Sequence, residues 1–324
     1  MNTGRPAAFA LAATTLVWGS TFVIVGELVG PAGGQPRFPP FLLLTIRFGL
    51  AAALMMAILY VRATRVDAVA WRRGAILGVI VFCGFAFQTV GLQFTTSARS
   101  AFLTNVSLLL VPIFGTLLGR GRPGPATILG LLVAFAGLAA IEFPWDLPPR
   151  LPENGAAPMP TSDRLLRGDL LTLGCAVFFA FQILATESFA RATPLVPFVF
   201  VQFLVCAAIS GVMSLATGEL EKAIPMPGTP AAVGGQIVFL GAIATGVSLL
   251  VQAWAQRTVS ATRAAIIFTL EPVFATLLAY LVRNELLTAA QMVGAALVLV
   301  GILATELLSG SSGDAPETAS DGWG

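Results

Sequence analysis

The chain has 324 residues, of which 56% are hydrophobic and 10% charged, with a net charge of +2 and no histidine. Soluble domains carry about 25% charged residues, so a water-soluble globule of this length is excluded. The near-neutral balance without a basic run excludes nucleic-acid binding. Cys83, Cys175 and Cys206 sit apart in apolar runs, a pattern with no metal-ligand spacing, no disulfide and no cofactor to expect.

Ten apolar windows are long enough for a spanning helix, which needs about 20 residues. In chain order they fall at 7–29, 41–61, 74–94, 98–119, 124–143, 168–189, 194–217, 233–255, 260–282 and 286–308. The first follows Arg5 and outruns the 7–15 residue core of a signal peptide, so it is expected to stay as an uncleaved span. After the fifth comes 144–167, with Pro144, Pro148, Pro149, Pro152, Pro158 and Pro160; it is expected to be a solvated linker. The tail 309–324 is Gly/Ser-rich and acidic and is expected to be disordered. The domains are therefore 1–143, the linker 144–167, then 168–308 and the tail.

Shifted by 160 positions, the chain matches itself. Leu11, Glu27, Gly74, Ser100 and Pro112 fall on Leu171, Glu187, Gly234, Ser260 and Pro272. The stretch 110–118 lies over 270–278, and beyond a four-residue insertion Gly130, Gly137 and Glu142 lie over Gly294, Gly301 and Glu306. Each copy holds five spans, an odd number, so the second must enter the membrane from the opposite side. The expected fold is an all-α membrane protein of ten transmembrane helices built as two inverted five-helix repeats. With both termini inside, ten basic residues fall in inner segments and seven in outer ones, a bias toward cytoplasmic termini.

Five motifs carry a resemblance. Span 1 has Trp18-Gly19-Ser20-Thr21-Phe22, span 2 has Arg47-Phe48, span 4 has Ala101-Phe102-Leu103-Thr104 and then Pro112, and span 9 has Glu271-Pro272. Over residues 7–308 this order resembles the drug/metabolite transporter superfamily, in its EamA-like branch. The resemblance implies export or exchange of a small metabolite, with a cavity lined by spans 1, 3, 4, 6, 8 and 9. It implies residence in a bacterial cytoplasmic membrane. The second copy departs from the pattern, with Phe178-Phe179-Ala180-Phe181 in place of Trp-Gly-Ser-Thr.

Glu271 is the one acid in the middle of a span, where charge is costly and function is the default reading. It either binds a substrate amine, carries a coupling proton, or caps backbone groups freed by Pro272. With no histidine, proton coupling would rest on this residue. Pro112 is the matching helix break of span 4, and Asn105 lies two turns before it on nearly the same face, as a substrate contact or an interhelical bond. Trp18, Ser20 and Thr21 sit at mid-depth in span 1, away from the interfacial belt, and are cavity candidates. Gln88 and Gln182 are cavity candidates by depth; Gln202 and Gln252 are further amides that should face the bundle. Arg47 inside span 2 is expected to pair with Glu27; snorkelling or an anionic substrate is the alternative. Gly74/Gly78 and Gly115/Gly119 offer helix seams.

The chemistry favours a secondary transporter whose partners are a small substrate, the lipid bilayer and, if coupled, protons. The cavity suits an amino acid or a related amphiphile. An exchanger without proton coupling and a channel are the other transport readings. An intramembrane enzyme lacks its usual histidine and has no catalytic motif. No G-x-x-x-x-G-K-[ST] loop is present to use ATP.

Overall fold

The computed structural model describes residues 4–29, 31–32, 35–36, 38–95, 97–142, 162–223, 230–274, 277 and 288–309. The linker residues 144–161, the tail from 310 onward and the Glu27 side chain lie outside that set. The described residues are almost all helical, as hydrocarbon demands of backbone groups that have no water to bond. The helices are α1 (Gly4–Val29), α2 (Pro40–Val61), α3 (Ala68–Gly91), α4 (Ser97–Asn105), α5 (Ser107–Leu117) and α6 (Pro125–Glu142) in the first copy. The second holds α7 (Ser162–Arg191), α8 (Leu195–Ala216), the short α9 (Glu219–Ala223), α10 (Pro230–Val238), α11 (Ser248–Ala255), α12 (Ala261–Phe268) and α13 (Ala289–Ser309). Between α10 and α11 the backbone widens into a π-helical stretch, Phe239–Val247. A two-residue antiparallel pairing, Pro31–Ala32 with Gln35–Pro36, joins spans 1 and 2.

Among the described residues, seven helical segments are long and apolar enough to cross a membrane, and Pro125–Ile141 and Ala289–Thr305 are shorter apolar helices. The 18 residues of α6 rise about 27 Å, close to a hydrocarbon core of about 30 Å. Span 9 is described as α12 and helical residues 270–274. Helix ends differ from the apolar windows where polar residues extend them. The Asp67 side chain accepts from the Ala70 amide at 2.7 Å and starts α3 six residues before its window. Span 6 begins at Ser162, in what was expected to be linker, with Asp163 in the first turn where the helix dipole favours an acid. Span 4 is interrupted at Val106, between α4 and α5, while Pro112 lies inside α5. A proline pushes on the carbonyl four residues earlier, so distortion falls in the preceding turn. In span 9 that carbonyl belongs to Phe268, where α12 ends.

The helix pairs obey an exchange of the two copies. Span 3 packs on spans 6 and 7, and span 8 packs on spans 1 and 2. Span 2 packs on span 7, span 4 on span 9 and span 5 on span 10, each pair mapping onto itself. These self-paired helices show the direction of the repeat. A Cβ on Gly130 would meet the Gly301 carbonyl oxygen at 2.7 Å, and one on Gly137 would meet that of Gly294 at 2.5 Å. The partner number falls as the first rises, so span 5 and its own repeat mate run antiparallel. Spans 2 and 7 do likewise, with Phe48 against Phe203 and Gly211 against Thr45. The two copies are inverted.

Gly74 and Gly78 form a real seam, against Phe198–Val201 and Gln202–Val205 of span 7. Among the described residues Gly115 and Gly119 do not. A Cβ on Gly115 would come no closer than 3.6 Å, to the Leu184 side chain, and one on Gly119 would meet nothing within 4 Å; Gly119 has a φ of +74°, the left-handed turn that ends α5.

Polar ties close both ends of spans 4 and 6. At one end Asp169 pairs with Arg99 and accepts from the Thr95 hydroxyl at 2.9 Å. At the other, Glu187 accepts from the Ala261 amide at 3.0 Å and from Arg120 at 3.1 Å, and pairs with Arg191 at 2.8 Å. One carboxylate thus caps span 9 and ties it to spans 4 and 6. Replacing Glu187 with Ala is expected to lower stability by about 2 kcal/mol, since the capped amide and two guanidinium partners lose their acceptor together. Thermal unfolding in detergent checks this.

Candidate functional site

A central cavity of about 90 Å³ opens between the copies. Trp18 and Thr21 reach it from span 1, Arg47 from span 2, Phe85 and Gln88 from span 3, and Thr104, Asn105 and Ser107 from span 4. The second copy contributes Phe179 and Gln182 from span 6, Leu249 and Gln252 from span 8, and Phe268 and Glu271 from span 9. Span 2 is thus added to the six spans expected to line it.

The cavity follows from local helix chemistry. The interruption at Val106 leaves Thr104, Asn105 and Ser107 around a turn that is not fully helical, and all three are buried. In span 9, Thr269 ends α12 with its hydroxyl on the Ile266 carbonyl at 2.6 Å, and Glu271 follows two residues on. Phe179 reaches the cavity because Gly84 faces it, where a Cβ would stand 2.6 Å from the ring. Its ring meets Phe85 edge-on at 5.1 Å.

Trp18 turns its ring edge-on to Phe268 at 5.3 Å, and its Nε1 donates to the Ala244 carbonyl at 3.0 Å. That carbonyl belongs to the π-helical stretch, where the widened turn alters the ordinary ladder. The indole therefore both lines the cavity and ties span 1 to span 8. Replacing Trp18 with Phe keeps an aromatic face but removes the donor, and is expected to cost about 1–2 kcal/mol for the stranded carbonyl. The check is the unfolding temperature of Trp18→Phe against wild type.

The other expected site residues divide. Thr21 lines the cavity while its hydroxyl donates to the Trp18 carbonyl at 2.8 Å. The structure does not bring Ser20 among the lining residues; its hydroxyl donates to the Val17 carbonyl at 2.7 Å. Gln88 reaches the Thr104 hydroxyl at 3.4 Å, and the Asn105 amide donates to the Ala101 carbonyl at 3.1 Å. Gln182 donates to Gln252 at 3.2 Å and to Thr186 at 3.1 Å. Gln252 passes the chain to Gln256 at 3.0 Å, which ends on the Ile183 carbonyl at 3.0 Å. These amides join spans 6 and 8 as well as lining the cavity.

No hydrogen bond or ion pair holds the Glu271 carboxyl among the described residues. A cap on groups freed by Pro272 is therefore not seen there. Arg47 donates from Nε to the Thr245 hydroxyl at 2.5 Å and lies over the Phe85 ring at 4.6 Å. The expected Glu27 partner has a side chain outside the described residues. Thr245, 198 residues away in the chain, and the three phenylalanines were missed by sequence reasoning. Only Phe179 had a signal, in the mismatch between Phe178-Phe179 and Trp18-Gly19.

The model of the EamA-like transporter family matches residues 5–143 and 166–306. An uncharacterized transporter of Archaeoglobus fulgidus is 27% identical over 302 residues, covering 92% of this chain and 84% of the relative. An uncharacterized transporter of Bacillus subtilis is 25% identical over 293 residues, 88% of each. A solved crystal structure matches with a TM-score of 0.72 at 20% identity, covering 96% of this chain and 99% of the other, which supports the fold alone.

Proposed function

The chain belongs to the EamA-like transporter family, and on that premise we propose that it is a secondary transporter exporting a small metabolite by alternating access. The observation that carries this is the cavity between two inverted copies, with a carboxyl from mid-span 9 in its wall. Glu271 binds either a proton or the amine of the substrate. A single carboxyl that cannot hold both couples their movements in opposite directions, so protons entering drive substrate out. The apolar lining, broken by one acid, one base and a few amides, suits an amino acid or a related amphiphile. The protein resides in the cytoplasmic membrane with both termini in the cytoplasm.

The test is solute flux in proteoliposomes across a metabolite panel, with and without a pH gradient. Gradient-driven accumulation of one class of solute is expected. Counterflow without any pH dependence would instead make the protein an exchanger, and absence of flux for every solute would remove the transport reading.

A further inference from the structure

Arg47 enters the cavity almost wholly withdrawn from solvent, at 3% exposure. Two contacts hold it. Nε donates to Thr245, and Cζ lies over the Phe85 ring, 4.6 Å from its centre. These use one of its five N–H groups. The four on Nη1 and Nη2 have no protein acceptor among the described residues, and no carboxylate there stands within salt-bridge distance. A guanidinium held at Nε and over a ring leaves its Nη1 and Nη2 edge as a two-pronged donor, the geometry that a carboxylate matches. Glu271 lines the same cavity from span 9, also without an ion-pair partner among the described residues. An acid and a guanidinium share one small apolar chamber without pairing among the described residues.

We propose that Arg47 is the second recognition group of this site, binding the carboxylate of a zwitterionic substrate whose ammonium group meets Glu271. The assignment rests on the transporter reading for its biological meaning, though it makes a claim about binding that stands apart from flux. An amine without a carboxylate leaves the guanidinium buried and unpaired. An anion without an amine leaves the half-buried Glu271 without a cation. Each loss falls on a charged group inside the cavity. The site therefore discriminates against lipophilic cations and simple carboxylic acids alike, and the rings of Trp18, Phe85, Phe179 and Phe268 take the apolar side chain.

Binding of the neutral L-amino acids to the purified full chain in detergent is compared, by isothermal titration, with that of their amides, decarboxylated amines and N-acetyl derivatives. Wild type is expected to bind the parent acids at least about tenfold tighter than every derivative. In Arg47→Gln the preference for acid over amide collapses toward one, while the preference for free over acetylated amine remains. Glu271→Gln gives the mirror result, and Arg47→Lys recovers part of the carboxylate preference. The assignment is overturned if no neutral amino acid binds wild type, or if the amides bind wild type as tightly as the acids. It is overturned equally if Arg47→Gln keeps the acid preference. Should Arg47→Gln fail to fold, the wild-type ratios decide. Flux of the same solutes in proteoliposomes is scored separately. Selective binding without flux removes the transport reading and leaves the two-charge site; flux without carboxylate selectivity does the reverse.

Discussion

In proteoliposomes with an imposed pH gradient, Glu271→Gln is expected to abolish accumulation of substrate while leaving the protein folded. For one proton exchanged per substrate, each pH unit supports about a tenfold concentration ratio, because 1.4 kcal/mol corresponds to a factor of ten. Wild type should approach that ratio and Glu271→Gln should reach about one. Glutamine has nearly the same size and keeps a carbonyl acceptor, so the cavity wall changes little. It cannot bind and release a proton, nor offer charge to an ammonium group. The fold should tolerate it, since no hydrogen bond or ion pair among the described residues depends on the carboxyl. Counterflow at equal pH, measured with a higher substrate concentration, separates lost coupling from lost transport. A purified Glu271→Gln protein that still concentrates substrate in proportion to the gradient would assign the proton elsewhere.

The largest loss of stability is expected from Gly137→Leu. A Cβ at this position would stand 2.5 Å from the Gly294 carbonyl oxygen and 2.7 Å from the Val298 amide nitrogen. Both are backbone atoms of a neighbouring helix and cannot rotate aside, so the helices must separate. A Cβ on Gly294 would meet the Gly137 carbonyl oxygen at the same 2.5 Å, so separation at one point opens the other. Overpacking in a tight interior costs about 1–3 kcal/mol, and a rigid backbone seam belongs at the upper end. The measurement is thermal unfolding in detergent, with Gly49→Ala as the control. Gly49 lies within α2, and among the described residues a Cβ there would meet nothing within 4 Å, so alanine should be neutral or mildly stabilising. Equal unfolding temperatures for Gly137→Leu and wild type would mean that spans 5 and 10 do not pack this closely.

The architecture was legible because hydrocarbon leaves few choices. Apolar runs of spanning length must be helices, and an odd number of spans per copy must invert the second. The deep acid was legible for the same reason: Glu271 stands out wherever charge is costly. What could not be read were relations set by three-dimensional contact. Arg47 was expected to pair with Glu27, whose side chain lies outside the described residues; the contact that could not be read is the one the structure describes. Its hydroxyl acceptor, Thr245, sits in another repeat, and nothing in a threonine within an apolar run announces it. The interruption at Val106 was expected at Pro112, because a proline is visible in a sequence and a turn six residues before it is not. The helix of span 6 starts before its apolar window because Asp163, Arg164 and Arg167 are charged, and the first turns of a long helix can stand in water. The glycines at 130, 137, 294 and 301 were visible as repeat landmarks, but their mutual contact required the helices to be placed.

A body with a perfect two-fold axis in the membrane plane has outward- and inward-open forms of equal free energy, since each is the other turned over. The π-helical stretch Phe239–Val247 lifts that degeneracy. Its repeat mate, 79–87, is ordinary α-helix within α3. The bonds that dock it, from Trp18 to Ala244 and from Arg47 to Thr245, map onto Phe178 with Gly84 and Ala207 with Phe85, pairs that cannot make them. Under the proposed alternating access, the resting protein is therefore expected to favour one face. A solute approaching the disfavoured face binds more weakly in proportion to the population available there. Half-saturating concentrations should differ between the two sides even for one unchanged set of contacts. The bias cancels around a complete cycle, so it governs how fast and at what concentration each side works, while the gradients alone govern which way the solute goes.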